Sequence, residues 1–141
     1  DEELWSALET AQARDFVEKL PDGLESLVSQ NGTNLSGGQK QRLCIARAIV
    51  KKAELYIFDD SFSALDFATD ARLRSALRSK LKNASILIVA QRVGTIIDAD
   101  KIIVLDKGQV VGVGTHKQLL EACEVYKDIV TSQLSTEEGD Q

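Results

Sequence analysis

Two uninterrupted apolar runs, Leu55-Tyr56-Ile57-Phe58 and Ser85-Ile86-Leu87-Ile88-Val89-Ala90, flank a segment in which Leu73, Ala76, Leu77 and Leu81 recur at helical spacing. A short apolar run without alternation is what a strand buried on both faces of a parallel sheet requires. Strand, helix, strand in that order is a βαβ unit, and it commits the chain to an α/β fold. The first run ends in Asp59-Asp60, so two carboxylates stand at the carboxyl end of that strand.

The rest of the chain arranges itself around this unit. From Glu3 to Lys19 the positions Leu4, Ala7, Leu8, Ala11, Phe16 and then Leu20 predict an amphipathic helix, stopped by the turn Pro21-Asp22-Gly23. Leu24 to Leu35 shows no sustained period and reads as a loop. Ser36 followed by Gln39 has the capping-box spacing, and Leu43, Ala46, Ile49 and Val50 then mark one face of a helix ending near Lys51-Lys52. Beyond the βαβ unit come a short helix around Val93 to Ala99, a strand at Ile102 to Leu105, and a turn at Asp106-Lys107-Gly108 into a hairpin partner at Gln109 to Val113. Helical segments around Lys117 to Ala122 and Glu124 to Leu134 follow. The polar, acidic residues Ser135 to Gln141 read as a mobile tail.

Composition narrows the function. With 141 residues there is room for one compact domain or part of one. Hydrophobic residues at 43% and charged residues at 28% are those of a soluble globular protein. No apolar run approaches the ~20 residues of a membrane helix, and the acidic start DEELWSALET is unlike a secretory signal. A formal charge of −5 without a Lys/Arg block argues against nucleic acid as the partner. Cys44 and Cys123 lie far apart with no CxxC spacing, and His116 is the single histidine, so neither a disulfide framework nor a zinc site is indicated. Both cysteines read as buried small hydrophobes.

Two segments carry chemistry. Leu35-Ser36-Gly37-Gly38-Gln39 opens a helix, where free backbone N–H groups, the positive end of the helix dipole and glycines that allow close approach all favour an anion. A Ser-capped helix after a Gly-rich turn gives the same five residues. Asp59-Asp60 suits Mg²⁺ on nucleotide phosphates, with the neighbouring carboxylate orienting water; a solvated strand end or a helix cap is the plainer alternative.

Taken together, Leu35 to Arg42 (LSGGQKQR) and Leu55 to Asp66 (LYIFDDSFSALD) resemble the ABC ATPase family closely. The first matches the family signature, and the second resembles its Walker B strand and D-loop, Ser63-Ala64-Leu65-Asp66. Ser26 to Gly32 occupies the place of the exporter-type loop, and Ala99 to Leu120 follows the family's hairpin and closing helix. The resemblance implies part of a P-loop NTPase parallel sheet carrying an ABC helical subdomain, with ATP and Mg²⁺ as ligands. Ser36, Gly37, Gly38, Gln39, Ser63 and Asp66 would face nucleotide, Asp59 would hold the metal, and Asp60 and Gln91 would stand at the catalytic positions. By analogy the domain works head to tail with a second ABC ATPase domain, on the cytoplasmic face of a membrane, attached through transmembrane domains absent from this chain. The implied organisation is a helical, signature-bearing subdomain at 1–52, the C-terminal part of the ATPase core at 53–134 and the tail at 135–141.

Three departures qualify the match. No GxxxxGK[ST] is present: Gly32 and Gly37 are correctly spaced, but Gly38-Gln39 follows them. The expectation is that residue 1 falls partway through a natural ATPase domain and that the phosphate-loop half lies outside this sequence. Asp60 stands where active members have Glu, shortening the reach by about one carbon–carbon bond, roughly 1.5 Å. Gln91 stands where the strand should end in histidine, and its amide can donate a hydrogen bond but cannot take up charge. The expectation is a hydrolytically weak site on this subunit, an intact signature serving the partner's ATP, and a partner that is a different subunit. A soluble ABC ATPase acting on nucleic acid or ribosomes, or a non-enzymatic module that keeps the signature as a docking surface, are the alternatives. His116 reads as a helix-start residue, Trp5 as packing for the first helix, and Arg72, Arg74, Arg78, Lys80 and Lys82 as a solvated helix face.

Overall fold

The computed structural model describes residues 1–138, with the side chains of residues 1–133. They form two compact units, Asp1–Val89 and the residues from Ala90 onward. In the first, α1 (Glu2–Thr10) and α2 (Arg14–Val17) replace the single helix expected from Glu3 to Lys19. The break is a Schellman turn: Gln12 takes φ +56°, the Ala13 N–H reaches the Leu8 carbonyl (2.7 Å), and the Gln12 N–H reaches that of Glu9 (3.0 Å). Glycine usually fills that left-handed position, so Gln12 gave no warning. Ala11 and Ala13 on either side are wholly buried, and the turn is held by tertiary packing.

Helix α3 (Gly37–Val50) starts at the expected Ser36 cap. Strand β1 (Leu55–Asp59), helix α4 (Phe67–Lys80) and strand β2 (Ser85–Val89) complete the βαβ unit, with β1 and β2 parallel and Ile57 beside Leu87. One face of this sheet is core: Tyr56 and Phe58 are buried with Ile45 of α3 and Leu73 and Leu77 of α4. The Phe58 ring stacks parallel to Tyr56 and meets Phe62 edge-on at 5.6 Å. The other face departs from the expectation of burial on both sides. Leu55 is 53% and Ile57 61% exposed, with Leu87 and Val89 of β2 beside them. An uninterrupted apolar run reports the tendency to be covered, and within this unit nothing covers that face.

Arg72, Arg78, Lys80 and Lys82 are exposed as expected, but Arg74 is not. Its guanidinium lies 3.2 Å from the carboxylate of Asp70, and the two side chains are only 15% and 4% exposed. A carboxylate that faces the core carries its counter-ion one turn further along the helix.

The second unit holds α5 (Val93–Ile96), the antiparallel hairpin β3 (Ile102–Asp106) and β4 (Gln109–Gly114), α6 (His116–Ala122) and α7 (Glu124–Glu138). Its core joins Val93, Ile102, Val104, Leu119, Cys123 and Tyr126. The ladder slips between Val104 and Leu105, which leaves Val111 as the extra residue of a bulge. A Cβ on the next residue, Gly112, would lie 2.9 Å from the Cys123 sulfur, so only glycine lets the hairpin sit this close to α6. Cys123 is buried as expected; Cys44 is exposed, because α3 turns that position away from its buried neighbours Ile45 and Ala46. His116 opens α6 as expected, and its Nδ1 shares a 2.8 Å hydrogen bond with the buried Tyr126 hydroxyl. Burial pushes the Tyr126 pKa up. Helix α7 continues to Glu138, past the expected end at Leu134; the remainder of the expected tail lies outside the described residues. Among the described residues no helix is long and apolar enough to cross a membrane.

Candidate functional site

At the start of α3 the Ser36 Oγ accepts from the Gln39 N–H (3.2 Å), and the Gln39 Oε1 accepts from the Ser36 N–H (2.9 Å). The capping box thus engages the outer pair of the four orphan donors that begin every helix. The N–H groups of Gly37 and Gly38, the first two helical positions, are left with no intrahelical acceptor. They are the donors an anion would meet, at the positive end of a helix of 14 residues. The Ser36 hydroxyl and the Gln39 amide, expected to face nucleotide, are committed to shaping this helix start.

The carboxyl end of β1 lies in the same unit. Asp59 and Asp60 are both exposed. Asp60 extends the parallel ladder by one bond, its N–H donating to the Val89 carbonyl (3.0 Å), and then turns sharply with φ +48°. A left-handed conformation costs a residue with a Cβ about 1 kcal/mol, less for Asp than for most. The following loop is anchored by burial of Phe62 and Leu65, with Ser63 and Ala64 held out between them. The Ser63 hydroxyl donates back to the Asp60 carbonyl (3.1 Å). Asp66 ends the loop as the N-cap of α4, accepting from the Thr69 N–H at 2.9 Å. That backbone N–H, followed by the Thr69 hydroxyl, lowers the Asp66 pKa below the usual carboxylate value.

The helix start and this loop touch. A Cβ on Gly38 would meet the Ala64 carbonyl oxygen at 3.0 Å, and one on Gly37 would meet the Ala64 Cβ at 3.5 Å. Gln41 supplies the polar contact. Its Nε2 donates to the Asp60 carbonyl (3.1 Å) and the Ser63 Oγ (3.0 Å), while its Oε1 accepts from the Ala64 N–H (3.0 Å). Arg42 makes a second set of contacts. It donates to the carbonyls of Gly38 (3.2 Å) and Gln12 (2.7 Å) and lies over the Phe16 ring at 4.9 Å. Partial burial lowers its pKa, against the opposing pull of Asp66 and Asp15, and it remains a cation.

The structure therefore brings together Ser36, Gly37, Gly38, Gln39, Ser63 and the Asp59-Asp60 pair around the junction of α3 with the loop after β1. Gln91 belongs to the second unit. There it is exposed, and its carbonyl accepts from the Gln133 Nε2 (2.6 Å) while the Gln133 Oε1 accepts from the Val93 N–H (2.8 Å). Sequence reasoning assigned nothing to Gln41, Arg42 or Gln133. Gln41 and Arg42 stood in the quoted motif LSGGQKQR, but their partners are remote in sequence, so no spacing rule points to them. Among the described residues no three His, Cys, Asp or Glu side chains converge as a metal site. The single carboxylate of Asp59 still fits Mg²⁺, which keeps several waters and takes much of its remaining coordination from phosphates.

This parallel α/β unit thus packs an anion-ready helix start against the loop that follows a strand-end carboxylate pair. The ABC transporter family model matches residues 2–63, and the chain corresponds to part of an exporter-type ATP-binding domain. It is 47% identical over 133 residues to an uncharacterized ABC transporter ATP-binding protein of Mycobacterium bovis, covering 94% of this chain and 22% of that protein. It is 42% identical over 130 residues to an ATP-dependent lipid A-core flippase of Haemophilus ducreyi, covering 92% and 22%. The solved structure of a bacterial Atm1-family ABC exporter with ATP bound superposes with a TM-score of 0.90 at 36% identity, covering 94% of this chain and 23% of that one. The chain thus spans about a fifth of the length of the curated relatives it matches.

Proposed function

We propose that this chain is the signature-bearing part of the ATP-hydrolysing motor of a membrane exporter, paired with a second, different ATPase subunit and with transmembrane domains. The observation that carries the reading is the open Gly37 and Gly38 N–H pair held against the loop that follows Asp59-Asp60. In a head-to-tail pair those N–H groups donate to the γ-phosphate of the partner's ATP and stabilise charge as it develops there. Asp59 takes the Mg²⁺ of this subunit's own nucleotide, an ion that neutralises phosphate charge when bound. By the family resemblance, Asp60 stands at the water-orienting position of this subunit's own nucleotide site, and Gln91 at the γ-phosphate position. The shorter carboxylate and the neutral amide make it the weaker of the two, and most turnover falls to the site completed by this signature. Residues 1–52 act as the helical subdomain and 53–134 as the C-terminal part of the core. The motor sits at the cytoplasmic face of the membrane.

Steady-state ATPase of the reconstituted pair tests this. Ser36→Arg is expected to remove most turnover, because its bulk and charge disrupt the helix start at the competent site. Asp60→Glu is expected to add little while Gln91 remains, since effects within one site are not additive. If Asp60→Ala alone abolished turnover, or Ser36→Arg left it intact, the asymmetric assignment would be wrong. By itself the chain is expected neither to bind MgATP tightly nor to hydrolyse it, as Asp59 and Asp60 offer only the metal side of a site. Micromolar binding by calorimetry that is lost on Asp59→Ala would contradict this.

A further inference from the structure

Gln41 of α3 holds the loop after β1 through both ends of its side-chain amide. Its donor end takes the Asp60 carbonyl and the Ser63 hydroxyl, and its acceptor end takes the Ala64 N–H. The partners dictate this orientation. Turning the amide over would set oxygen against the Asp60 carbonyl and N–H against the Ala64 N–H. Asp60 is also the residue held at φ +48°, a conformation that persists only where the surroundings fix it. The direction of the Asp60 carbonyl and the exit direction of its carboxylate are set by the same backbone torsions, so a hydrogen bond to the first constrains the second. On the facing surface, Gly38 has no Cβ and lets the Ala64 carbonyl approach the helix start directly.

We infer that Gln41 is a positioning residue, whose amide locks the Asp60–Ala64 loop to the start of α3 so that the Asp60 carboxylate and the Gly37–Gly38 donors keep one fixed relation. The inference rests on the proposed motor function for its consequence. In a head-to-tail pair those two groups serve different ATP molecules. The Gln41 amide is then a link inside one chain through which the state of one nucleotide site is felt at the other. A loop displaced at Asp60 pulls on α3 through the amide, and a helix start displaced by nucleotide pushes on Ala64.

The test uses the intact transporter carrying this chain, with Gln41→Met, which keeps the length and removes the hydrogen bonds, and Gln41→Glu, which keeps only the acceptor for Ala64. Hydrogen exchange reads the lock without reference to catalysis. Gln41→Met is expected to speed exchange of the Ala64 amide about tenfold, with Ile45 and Ala46 of α3 unchanged, and Gln41→Glu is expected to restore Ala64 protection. In steady-state assays Gln41→Met is expected to lower kcat about tenfold with KM for ATP within about twofold, and Gln41→Glu to recover less than half of the lost kcat. Unchanged Ala64 exchange in Gln41→Met overturns the lock, whatever the ATPase result. Faster exchange with unaltered kcat overturns the positioning role. A wild-type transporter with no ATPase activity would refute the motor function instead, and the exchange experiment would still decide the lock.

Discussion

Adjacent glycines at 37 and 38 should respond in opposite ways to the addition of one methyl group. At Gly37 a Cβ would lie 3.5 Å from the Ala64 Cβ, an ordinary contact. Replacing Gly by Ala within a helix then gains about 0.5–1 kcal/mol through the smaller entropy lost on folding. At Gly38 the Cβ would lie 3.0 Å from the Ala64 carbonyl oxygen and 3.5 Å from Leu65 Cδ2. The oxygen is backbone, and it cannot retreat freely, because the Ala64 N–H is bound to Gln41 and Leu65 is buried. Forcing it away strains a packed contact, at about 1–3 kcal/mol, and sets that against the same entropic gain. Gly38→Ala is therefore expected to be less stable than Gly37→Ala by about 2 kcal/mol. Urea unfolding of the two variants, side by side at one low protein concentration, reads the difference as a shift of midpoint with unchanged slope. Equal midpoints, or a higher one for Gly38→Ala, would show that the loop yields easily and would refute the close packing of helix start and loop.

Asp70→Ala leaves the half-buried Arg74 without its counter-ion and is expected to destabilise the fold by about 3 kcal/mol; a loss below about 0.5 kcal/mol in the same unfolding assay would show that solvent replaces the carboxylate. The Asp66 cap titrates. Its pKa is lowered in the folded state by the Thr69 N–H, so its contribution is complete above the unfolded value of about 3.9 and is lost as pH falls through the lower folded value. Protection of the Thr69 amide should accordingly fall below about pH 4 in the wild type but not in Asp66→Asn, and a pH-independent wild type would contradict it. The exposed face at Leu55, Ile57, Leu87 and Val89 should make the isolated chain self-associate. Light scattering should register this, and Ile57→Lys with Leu87→Glu, an opposite-charge pair across the strands, should suppress it; a stable wild-type monomer at high concentration would count against it.

Local signals were legible where one residue type has one physical use. The capping spacing of Ser36 and Gln39 placed the start of α3, and the paired apolar runs placed β1 and β2 with their crossover helix. Gln12 was illegible because a left-handed turn without glycine leaves no mark in the sequence, and it is held by the packing of Ala11 and Ala13. Arg74 had the same appearance as its solvated neighbours, because its burial depends on Asp70 facing the core.

By itself, then, the sequence determined the order of elements from α3 onward, the anion-ready helix start, the carboxylates at the end of β1 and the family resemblance. Each of these is written in short-range spacing, where backbone geometry leaves few options. Only the tertiary structure decided that β1 is covered on one face, that Gly38 is small for the sake of the Ala64 carbonyl, and that Gln41 and Arg42 fasten the helix start. Those contacts join residues distant along the chain, and their existence depends on how helix, loop and turn pack against one another, which no local periodicity encodes.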